Sequence, residues 1–328
     1  MKNFEYAAPR TEAEVLQLLS AEPGRVEILA GGTDLVGLMK SMIVTPDRVV
    51  NIMEVPSLKQ IEELPDGGVS IGATVTLDDV LRHPYLDMYS AVKHAIRGIS
   101  SMQLRCQGTL GGEVCQRPHC WFYRQGRGLL SDDVVNGANQ YHAILGNSGP
   151  AKFVHSSRLA PALISLNAVL RVFGPTDKDE TFVPVEEFFR TPRHEGQREH
   201  ILAPNQFVTH LILPPIDGRT CAAYEVRHGE GPDYPLAAAA AALRMDLFGV
   251  VESAKVVMGH VAPTPWVSSE AAGVLISRRV THDVAELAGQ AAVSQATPLS
   301  ENAYKVQLAK VAVKRAILLA AGLETGGF

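Results

Sequence analysis

Apolar and polar residues alternate along the chain in blocks that predict a mixture of helices and strands. Thr11 and Glu14 have the spacing of a helix capping box, and apolar residues follow them at helical intervals. The apolar run 26–30 predicts a short buried strand, and Thr76 predicts the start of a short helix. Further strands are expected at 48–52, 69–71, 168–173, 207–213, 221–227 and 254–261, and further helices at 87–99, 159–166, 283–293 and 303–321.

Three segments depart from this regular pattern. Residues 113–150 are rich in Gly, Asn and polar side chains and have no clean period, which is typical of a functional loop. Residues 190–200 are rich in Arg and His and are interpreted as a linker. Residues 236–245 are rich in alanine, so propensity alone favours a helix. With 328 residues, the chain is long enough for two modest domains.

The first candidate site follows the strand predicted at 26–30. That strand runs into Gly31 and Gly32, and Thr33 or Asp34 can cap the helix that follows. Glycine lets the backbone turn tightly, and the N–H groups of such a turn can point together at phosphate oxygens. The same pattern also fits an ordinary turn before a capped helix. It matches neither the Rossmann fingerprint nor a P-loop, so nucleotide hydrolysis is not expected.

Two other turns contain small residues. The sequence Ile-Gly-Ala-Thr-Val-Thr at 71–76 predicts a strand that runs into a turn. The sequence Gln-Gly-Thr-Leu-Gly-Gly at 107–112 predicts a second glycine-rich loop. Three such turns can converge on one elongated ligand, because small residues allow a flat ring and a diphosphate to lie against the backbone.

The three motifs occur in an order that resembles the FAD domain of molybdenum-hydroxylase medium subunits. This is the family of xanthine, aldehyde and carbon monoxide dehydrogenases and of 4-hydroxybenzoyl-CoA reductase. The Leu-Ala-Pro-Ala-Leu segment at 159–163 and the segments at 224–227, 236–243 and 261–266 are also similar to the family. The resemblance therefore covers nearly the whole chain.

The resemblance implies an α+β fold. A PCMH-type FAD-binding domain of two subdomains is expected at 1–176, with an insertion at 113–150. A linker is expected at 177–206, and an α+β C-terminal domain of the CO dehydrogenase flavoprotein type at 207–328. The family also implies that 236–245 is a strand, against its alanine propensity.

The resemblance also implies the cofactor and its contacts. The first diglycine turn is expected to bind the diphosphate and ribose of FAD, and the other two turns to line the flavin. The expected cofactor-binding residues are Leu29, Ala30, Gly31, Gly32, Thr33, Asp34, Leu35, Ile71, Thr74, Thr109, Gly111, Gly112 and Leu159. No residue of this chain is expected to be catalytic towards an organic substrate.

In such complexes a large subunit carries the molybdenum cofactor and a small subunit carries two [2Fe-2S] clusters. Electrons are expected to pass from molybdenum through the clusters to FAD and then to an external acceptor: NAD, ferredoxin, a quinone or oxygen. A dimer of heterotrimers is one expected arrangement. The sequence does not identify the substrate of the molybdenum subunit.

The insertion resembles that of relatives with an extra [4Fe-4S] cluster. Those relatives place more cysteines between blocks similar to 115–124 and 139–146, whereas 125–138 contains none. Such a cluster normally needs four thiolates, so Cys115 and Cys120 are predicted to be buried free thiols without metal. A zinc site formed with His119, His142 and His155 is the less favoured alternative, because the spacing matches no standard finger.

Three polar residues depart from the family pattern at positions near the flavin. Glu113 replaces a frequent Asn, Arg158 a frequent Asp and Glu225 a frequent Lys. The last two changes invert charge, and they could compensate each other if the residues were close. A structural subunit that has lost flavin is therefore the alternative function. A free-standing flavin oxidase is the third hypothesis, for which no acid–base pair is apparent.

Charge and composition limit the classes of partner and the cellular locations to be expected for this chain. The formal net charge is −5 and basic residues form no block, which argues against nucleic acid as the main partner. No apolar run predicts a membrane span, and residues 1–10 lack the features of a secretory signal. A cytoplasmic location is expected, with export alongside a signal-bearing partner as the alternative.

Overall fold

The first structural unit is a small parallel sheet with two helices. The computed structural model describes residues 1–229, 231 and 233–326. Strands β1 (Glu5–Ala7), β2 (Val26–Leu29) and β3 (Arg48–Asn51) pair in the order β1-β3-β2. Helices α1 (Glu12–Leu18) and α2 (Leu35–Lys40) follow the first two strands. The Thr11 hydroxyl accepts the Glu14 N–H, which confirms the predicted cap.

The second unit is a five-stranded sheet with the strand order β4-β5-β8-β6-β7. All its neighbouring strands are antiparallel. Its strands are β4 (Ile61–Glu63), β5 (Val69–Gly72), β6 (Val169–Phe173), β7 (Glu180–Pro184) and β8 (Phe207–Leu213). Six helices accompany it: α3 (Leu77–Arg82), α4 (Ser90–Gly98), α5 (Met102–Gln107), α6 (Leu110–Cys115), α9 (Ala160–Ser165) and α10 (Val185–Phe188).

This topology corrects the predicted linker and the start of the predicted C-terminal domain. The segment 177–206 contains strand β7 and helix α10, which both belong to the second unit. Strand β8, assigned from the sequence to the C-terminal domain, instead pairs with β5 and β6 in this sheet. The charged composition of 190–200 suggests an exposed linker. In the fold Glu199 is instead buried, because its charge is paired with Arg117.

The predicted glycine loop at 107–112 is also corrected. It lies where α5 ends and α6 begins, and Thr109 caps α6 by accepting the N–H of Gly112 at 3.2 Å. The glycines concealed the helix because their propensity for helix is low. The insertion that follows contains two short helices, α7 (Trp121–Arg124) and α8 (Asp133–Asn136). Its Phe122 shares a small core with Leu38 of α2 and with Phe153.

The third unit is a four-stranded antiparallel sheet with the order β12-β11-β10-β9. Its strands are β9 (Arg219–Val226), β10 (Ala237–Met245), β11 (Val251–Gly259) and β12 (Trp266–Val267). Helices α11 (Ser269–Leu275), α12 (His282–Ala292) and α13 (Tyr304–Ala320) follow. No helix in the described part of the chain has both the length and the apolar character needed to cross a bilayer.

The alanine-rich strand β10 is buried on both faces. Ala240 and Ala242 pack towards the second unit, whereas Ala239 and Ala241 pack towards the C-terminal helices. Strands β9 and β11 bond to its two edges, so pairing on both sides overrides the helical propensity of alanine. The strand expected from the family resemblance is confirmed.

Candidate functional site

A cleft of about 250 Å³ lies between the first and second units. Helices α2 and α6 and the segment before β8 all contribute residues to its wall. The residues that line the cleft include Ala30, Gly31, Gly32, Thr33, Asp34, Leu35, Ala73, Thr109, Gly111, Gly112, Cys115, Gln116, Arg117, Arg198 and His200. Main-chain atoms and small side chains thus form much of its wall.

The first diglycine turn has a shape that only glycine permits. A Cβ atom on Gly31 would overlap the carbonyl oxygen of Gln107, and Gly32 has a φ of +73°. The Gln107 side chain also donates to the carbonyl oxygen of Gly31 at 3.0 Å, which ties the turn to the end of α5. In the described chain the N–H groups of Gly32 and Thr33 donate no hydrogen bond. Two donors are therefore available to an anion.

Asp34 holds the insertion rather than capping its own helix. Its carboxylate accepts the N–H of Arg117 at 2.8 Å and forms an ion pair with Arg124 at 2.7 Å. No hydrogen bond runs from this side chain to the start of α2. Of the two predicted caps, Thr33 and Asp34, the structure places Asp34 at the N-cap position, but its side chain makes no capping hydrogen bond because insertion residues occupy the carboxylate.

The second and third small-residue turns pack directly against each other. The N–H of Gly111 donates to the carbonyl oxygen of Ala73 at 2.8 Å, and Leu110 donates to Val75 at 2.9 Å. A Cβ on Gly111 would lie 2.8 Å from the Cβ of Ala73, so glycine is needed for this approach. The sequence motifs at 71–76 and 107–112 therefore meet at one wall of the cleft.

Four of the proposed cofactor-binding residues do not line this cleft. Ile71 and Leu159 are fully buried in the core of the second unit. Thr74 is also buried, and its hydroxyl donates to the carbonyl oxygen of Leu58 at 2.7 Å. Leu29 ends strand β2.

Two charged or titratable residues that the sequence did not indicate, Arg198 and His200, also line the cleft. Arg198 donates to Glu27 at 3.2 Å, but its buried Nε has no hydrogen-bond partner within the described residues. Burial and the neighbouring arginines hold the pKa of His200 well below its usual value, so this imidazole is neutral. A guanidinium and the free N–H groups of the first turn line the same cleft, which is therefore suited to an anionic ligand.

Comparison with known proteins assigns the family. Residues 2–216 match the model of the FAD binding domain in molybdopterin dehydrogenase. Residues 222–320 match the C-terminal domain of CO dehydrogenase flavoproteins. The chain belongs to the molybdenum-hydroxylase medium subunits. FAD is the cofactor of this domain, and the free donors and Arg198 fit its diphosphate.

Individual relatives align with this chain over almost their full length. The aldehyde oxidoreductase FAD-binding subunit PaoB of Escherichia coli is 30% identical over 321 residues, which cover 94% of this chain and 96% of that protein. The carbon monoxide dehydrogenase medium chain of Hydrogenophaga pseudoflava is 24% identical, with 96% of both chains covered. A solved carbon monoxide dehydrogenase from the same organism shares the fold at a TM-score of 0.76, with 23% identity and 98% of both chains covered.

Two of the three departures from the medium-subunit pattern face each other. Arg158 and Glu225 form an ion pair at 3.5 Å, and their side chains are only 4% and 9% exposed. The first comes from the segment before α9 and the second from β9, so the pair joins the second and third units. Neither lines the cleft. Two inverted charges thus offset each other at one place.

The third departure, Glu113, bridges two helices. Its carboxylate accepts hydrogen bonds from the hydroxyl of Ser157 at 3.0 Å and from the N–H groups of Arg158 at 2.6 Å and Leu159 at 3.1 Å. Burial raises the pKa of Glu113 to about 7, against the lowering effect of these donors. Glu113 therefore fastens α6 to the start of α9 behind the cleft.

The insertion places one cysteine beside a histidine. Cys120 Sγ lies 3.3 Å from Nε2 of His142, and burial lowers the pKa of this imidazole to about 4. Cys115 lies apart at the cleft, where burial raises the pKa of its thiol to about 12. Across the described residues, no group of three or more His, Cys, Asp or Glu side chains is arranged to hold a metal ion.

Proposed function

We propose that this chain is the FAD-binding electron-transfer subunit of a heteromeric molybdenum hydroxylase. It passes electrons from the [2Fe-2S] clusters of a partner subunit through FAD to an external acceptor. The observation that carries the proposal is that free main-chain N–H groups and Arg198 line the same cleft of a family FAD domain. Bound FAD would link one-electron donors to a one- or two-electron acceptor.

The residues of this chain bind and orient the cofactor. The N–H groups of Gly32 and Thr33 would donate to the diphosphate, and the Arg198 guanidinium would offset its charge. The wall formed by Ala73, Gly111 and Gly112 has no bulky side chains, so a flat ring could lie against it. Leu29, Ile71, Thr74 and Leu159 are proposed to support these contacts from behind.

The partners follow from the names of the relatives. The 24% identical protein is named as the medium chain of carbon monoxide dehydrogenase, and PaoB as an FAD-binding subunit. By analogy this chain would assemble with a large molybdenum-cofactor subunit and a small subunit with two [2Fe-2S] clusters. A dimer of heterotrimers is one arrangement, and the external acceptor belongs to the class of NAD, ferredoxin, quinone or oxygen.

The contacts of Arg158 support flavin binding over its loss. Arg158 donates to the carbonyl oxygens of Gly98 and Asp233 and pairs with Glu225, so its partners all lie outside the residues that line the cleft. Glu113 is occupied by the start of α9. None of the three departures lines the cleft, so none blocks the proposed site.

Flavin content tests the proposal. The chain purified with its partners should show the two visible flavin absorption bands and release about one FAD per chain on denaturation, as expected for a tightly bound redox cofactor. A complex that oxidises its substrate at full rate without any flavin would favour the structural-subunit alternative instead.

Reduction of the assembled complex tests the electron route. An aldehyde is the first donor to try, since PaoB is named for an aldehyde oxidoreductase. The flavin bands should bleach anaerobically in the complete complex. They should persist when the chain is mixed with aldehyde alone. Bleaching by aldehyde without partners would instead support a free-standing flavin oxidase.

A further inference from the structure

A second polar site lies beside the cleft and joins the second and third units. We call it the Arg158 cluster and define it as Gly98, Arg158, Glu225, Asp233 and Tyr234. Arg158 bonds to the carbonyl oxygens of Gly98 at the end of α4 and of Asp233 in the segment before β10. Its guanidinium lies 5.3 Å from the centre of the Tyr234 ring, within reach of a cation–π contact.

The position of Glu225 fits this arrangement closely. A Cβ atom on Gly98 would overlap Oε2 of Glu225, so glycine at the end of α4 makes room for the carboxylate. The other oxygen, Oε1, is buried and has no hydrogen-bond partner among the described residues. Arg158 is therefore the main compensation for a carboxylate that is largely removed from water.

Tyr234 extends from the cluster to the edge of the cleft. Its hydroxyl lies 2.7 Å from Oε1 of Gln116, which lines the cleft, and 2.9 Å from Nε2 of His119. The Tyr234 and His119 rings are 4.3 Å apart. His119 in turn lies 3.7 Å from Asp34, which follows the first diglycine turn. A continuous set of contacts thus runs from Arg158 to both sides of the cleft edge.

The titration behaviour of these rings is consistent with a lasting contact. Burial raises the pKa of Tyr234, so its hydroxyl remains a donor at neutral pH. Burial and the nearby Arg124 lower the pKa of His119 to about 4, so its imidazole is neutral. The charged groups that face them are Arg124, Arg158, Asp34 and Glu113.

We propose that Arg158 is a positioning residue that holds Tyr234 against Gln116 and His119 and thereby keeps the edge of the FAD cleft closed. Arg158 acts through Tyr234 and needs no contact with the cofactor. The inference rests on the proposed FAD site. It gives the inverted pair Arg158–Glu225 a role in cofactor retention, beyond the offset of two charges.

The test uses the full chain in its complex, loaded with FAD. Four forms are compared with the wild type: Arg158→Gln, Tyr234→Phe, the double variant, and Arg171→Gln. Arg171 is the matched control, because it is a partly buried arginine with two carboxylate partners, Glu12 and Glu180, and it does not line the cleft. The readouts are the rate of FAD release and the quenching of flavin fluorescence by iodide.

The expected results follow from the proposal that Arg158 affects FAD retention only through its contact with Tyr234. Arg158→Gln should speed FAD release by about tenfold and increase iodide quenching. Tyr234→Phe keeps the ring but removes the hydroxyl contacts, so it should give a smaller change in the same direction. The double variant should match Arg158→Gln alone, because residues that act in series are not additive. Arg171→Gln should leave both readouts unchanged.

Three results would overturn the inference: an unaltered Tyr234→Phe, a double variant whose effect equals the product of the single effects, or equal FAD loss in Arg171→Gln. In each of these the wild type retains FAD, so the proposed function stands. A wild-type complex without FAD would instead remove the proposed function and this inference together.

Discussion

The proposed cofactor cleft and the Arg158 cluster lie next to each other but are built from different parts of the chain. The cleft is made largely of main-chain groups, which glycine and alanine bring close together at Gly31 and Gly111. The cluster is made of long side chains from three separate segments. A main-chain site depends on backbone shape, whereas a side-chain cluster depends on partners that must change together. The comparison therefore predicts different responses to substitution.

The largest effect is expected where a side chain would enter the main-chain site. Gly31→Ala places a Cβ on the carbonyl oxygen of Gln107, so the turn must shift. Overpacking of this kind costs about 1–3 kcal/mol, and the displaced donors should weaken FAD binding by roughly 100-fold. Fluorescence titration of the flavin-free chain with FAD measures the affinity.

Gly37→Ala is the matched control for this substitution. A Cβ on Gly37 would meet nothing, and the residue lies within α2. Alanine there should stabilise the helix by about 0.5–1 kcal/mol and leave FAD affinity unchanged. Equal FAD binding by the Gly31 and Gly37 variants would show that the first diglycine turn is not the binding site.

The next effect concerns the one strong charge proposed to act on the cofactor. Arg198→Gln removes a guanidinium whose Nε has no partner within the described chain. FAD affinity should fall by about tenfold, as expected for loss of a charge-assisted contact. The same titration, with exposed Arg193→Gln as control, measures it. Identical affinities in both variants would exclude Arg198 from the site.

A smaller effect is expected on the pH dependence of stability. Burial raises the pKa of Glu225 from 4.5 to about 6, so the folded chain binds this proton more tightly than the unfolded chain. The protonated Glu225 side chain therefore adds to the free energy of unfolding below pH 4.5, and this contribution is lost as pH rises through about 6. The difference is on the order of 2 kcal/mol. Urea unfolding of wild type and Glu225→Gln at both ends of this range measures it.

The contrast in that experiment is between two carboxylates. Lys314 holds the pKa of the exposed Glu286 below its usual range, so Glu286→Gln should alter the pH dependence slightly and with the opposite sign. Wild type should gain stability relative to Glu225→Gln as pH falls. If the stabilities of wild type and Glu225→Gln changed in parallel with pH, the Glu225 carboxylate would be as well solvated in the folded chain as in the unfolded chain.

The smallest effect is expected in the insertion. Cys120→Ala should leave the iron and flavin content of the complex unchanged, because two cysteines cannot supply the four thiolates of a [4Fe-4S] cluster. Iron analysis per flavin measures this. Cys221→Ala, which is buried elsewhere, is the control. A loss of iron confined to the Cys120 variant would contradict the interpretation of the insertion.

The main-chain site could be predicted from the sequence because glycine marks it. Gly31, Gly32, Gly111 and Gly112 stand out locally, and the structure brings them to one cleft. The strand β10 required the family resemblance, because its alanines favour a helix until β9 and β11 pair with them. Local propensity carries no information about such partners.

The side-chain site could not be predicted in the same way. Arg158 and Glu225 are 67 residues apart, and only the fold shows that they form a pair. Arg198 could not be predicted because a charged stretch with no hydrophobic period suggests a linker, whereas in the fold Arg198 pairs with Glu27 and lines the cleft. Charges that are compensated by distant residues leave no periodic signal in the sequence.

A density map of the FAD-loaded chain tests the central claim most directly. We predict diphosphate oxygens within about 3.2 Å of the main-chain nitrogens of Gly32 and Thr33, the range of an N–H···O hydrogen bond. Arg198 should lie on the same phosphates. A map in which FAD occupies another surface, with this turn facing only solvent, would contradict the account.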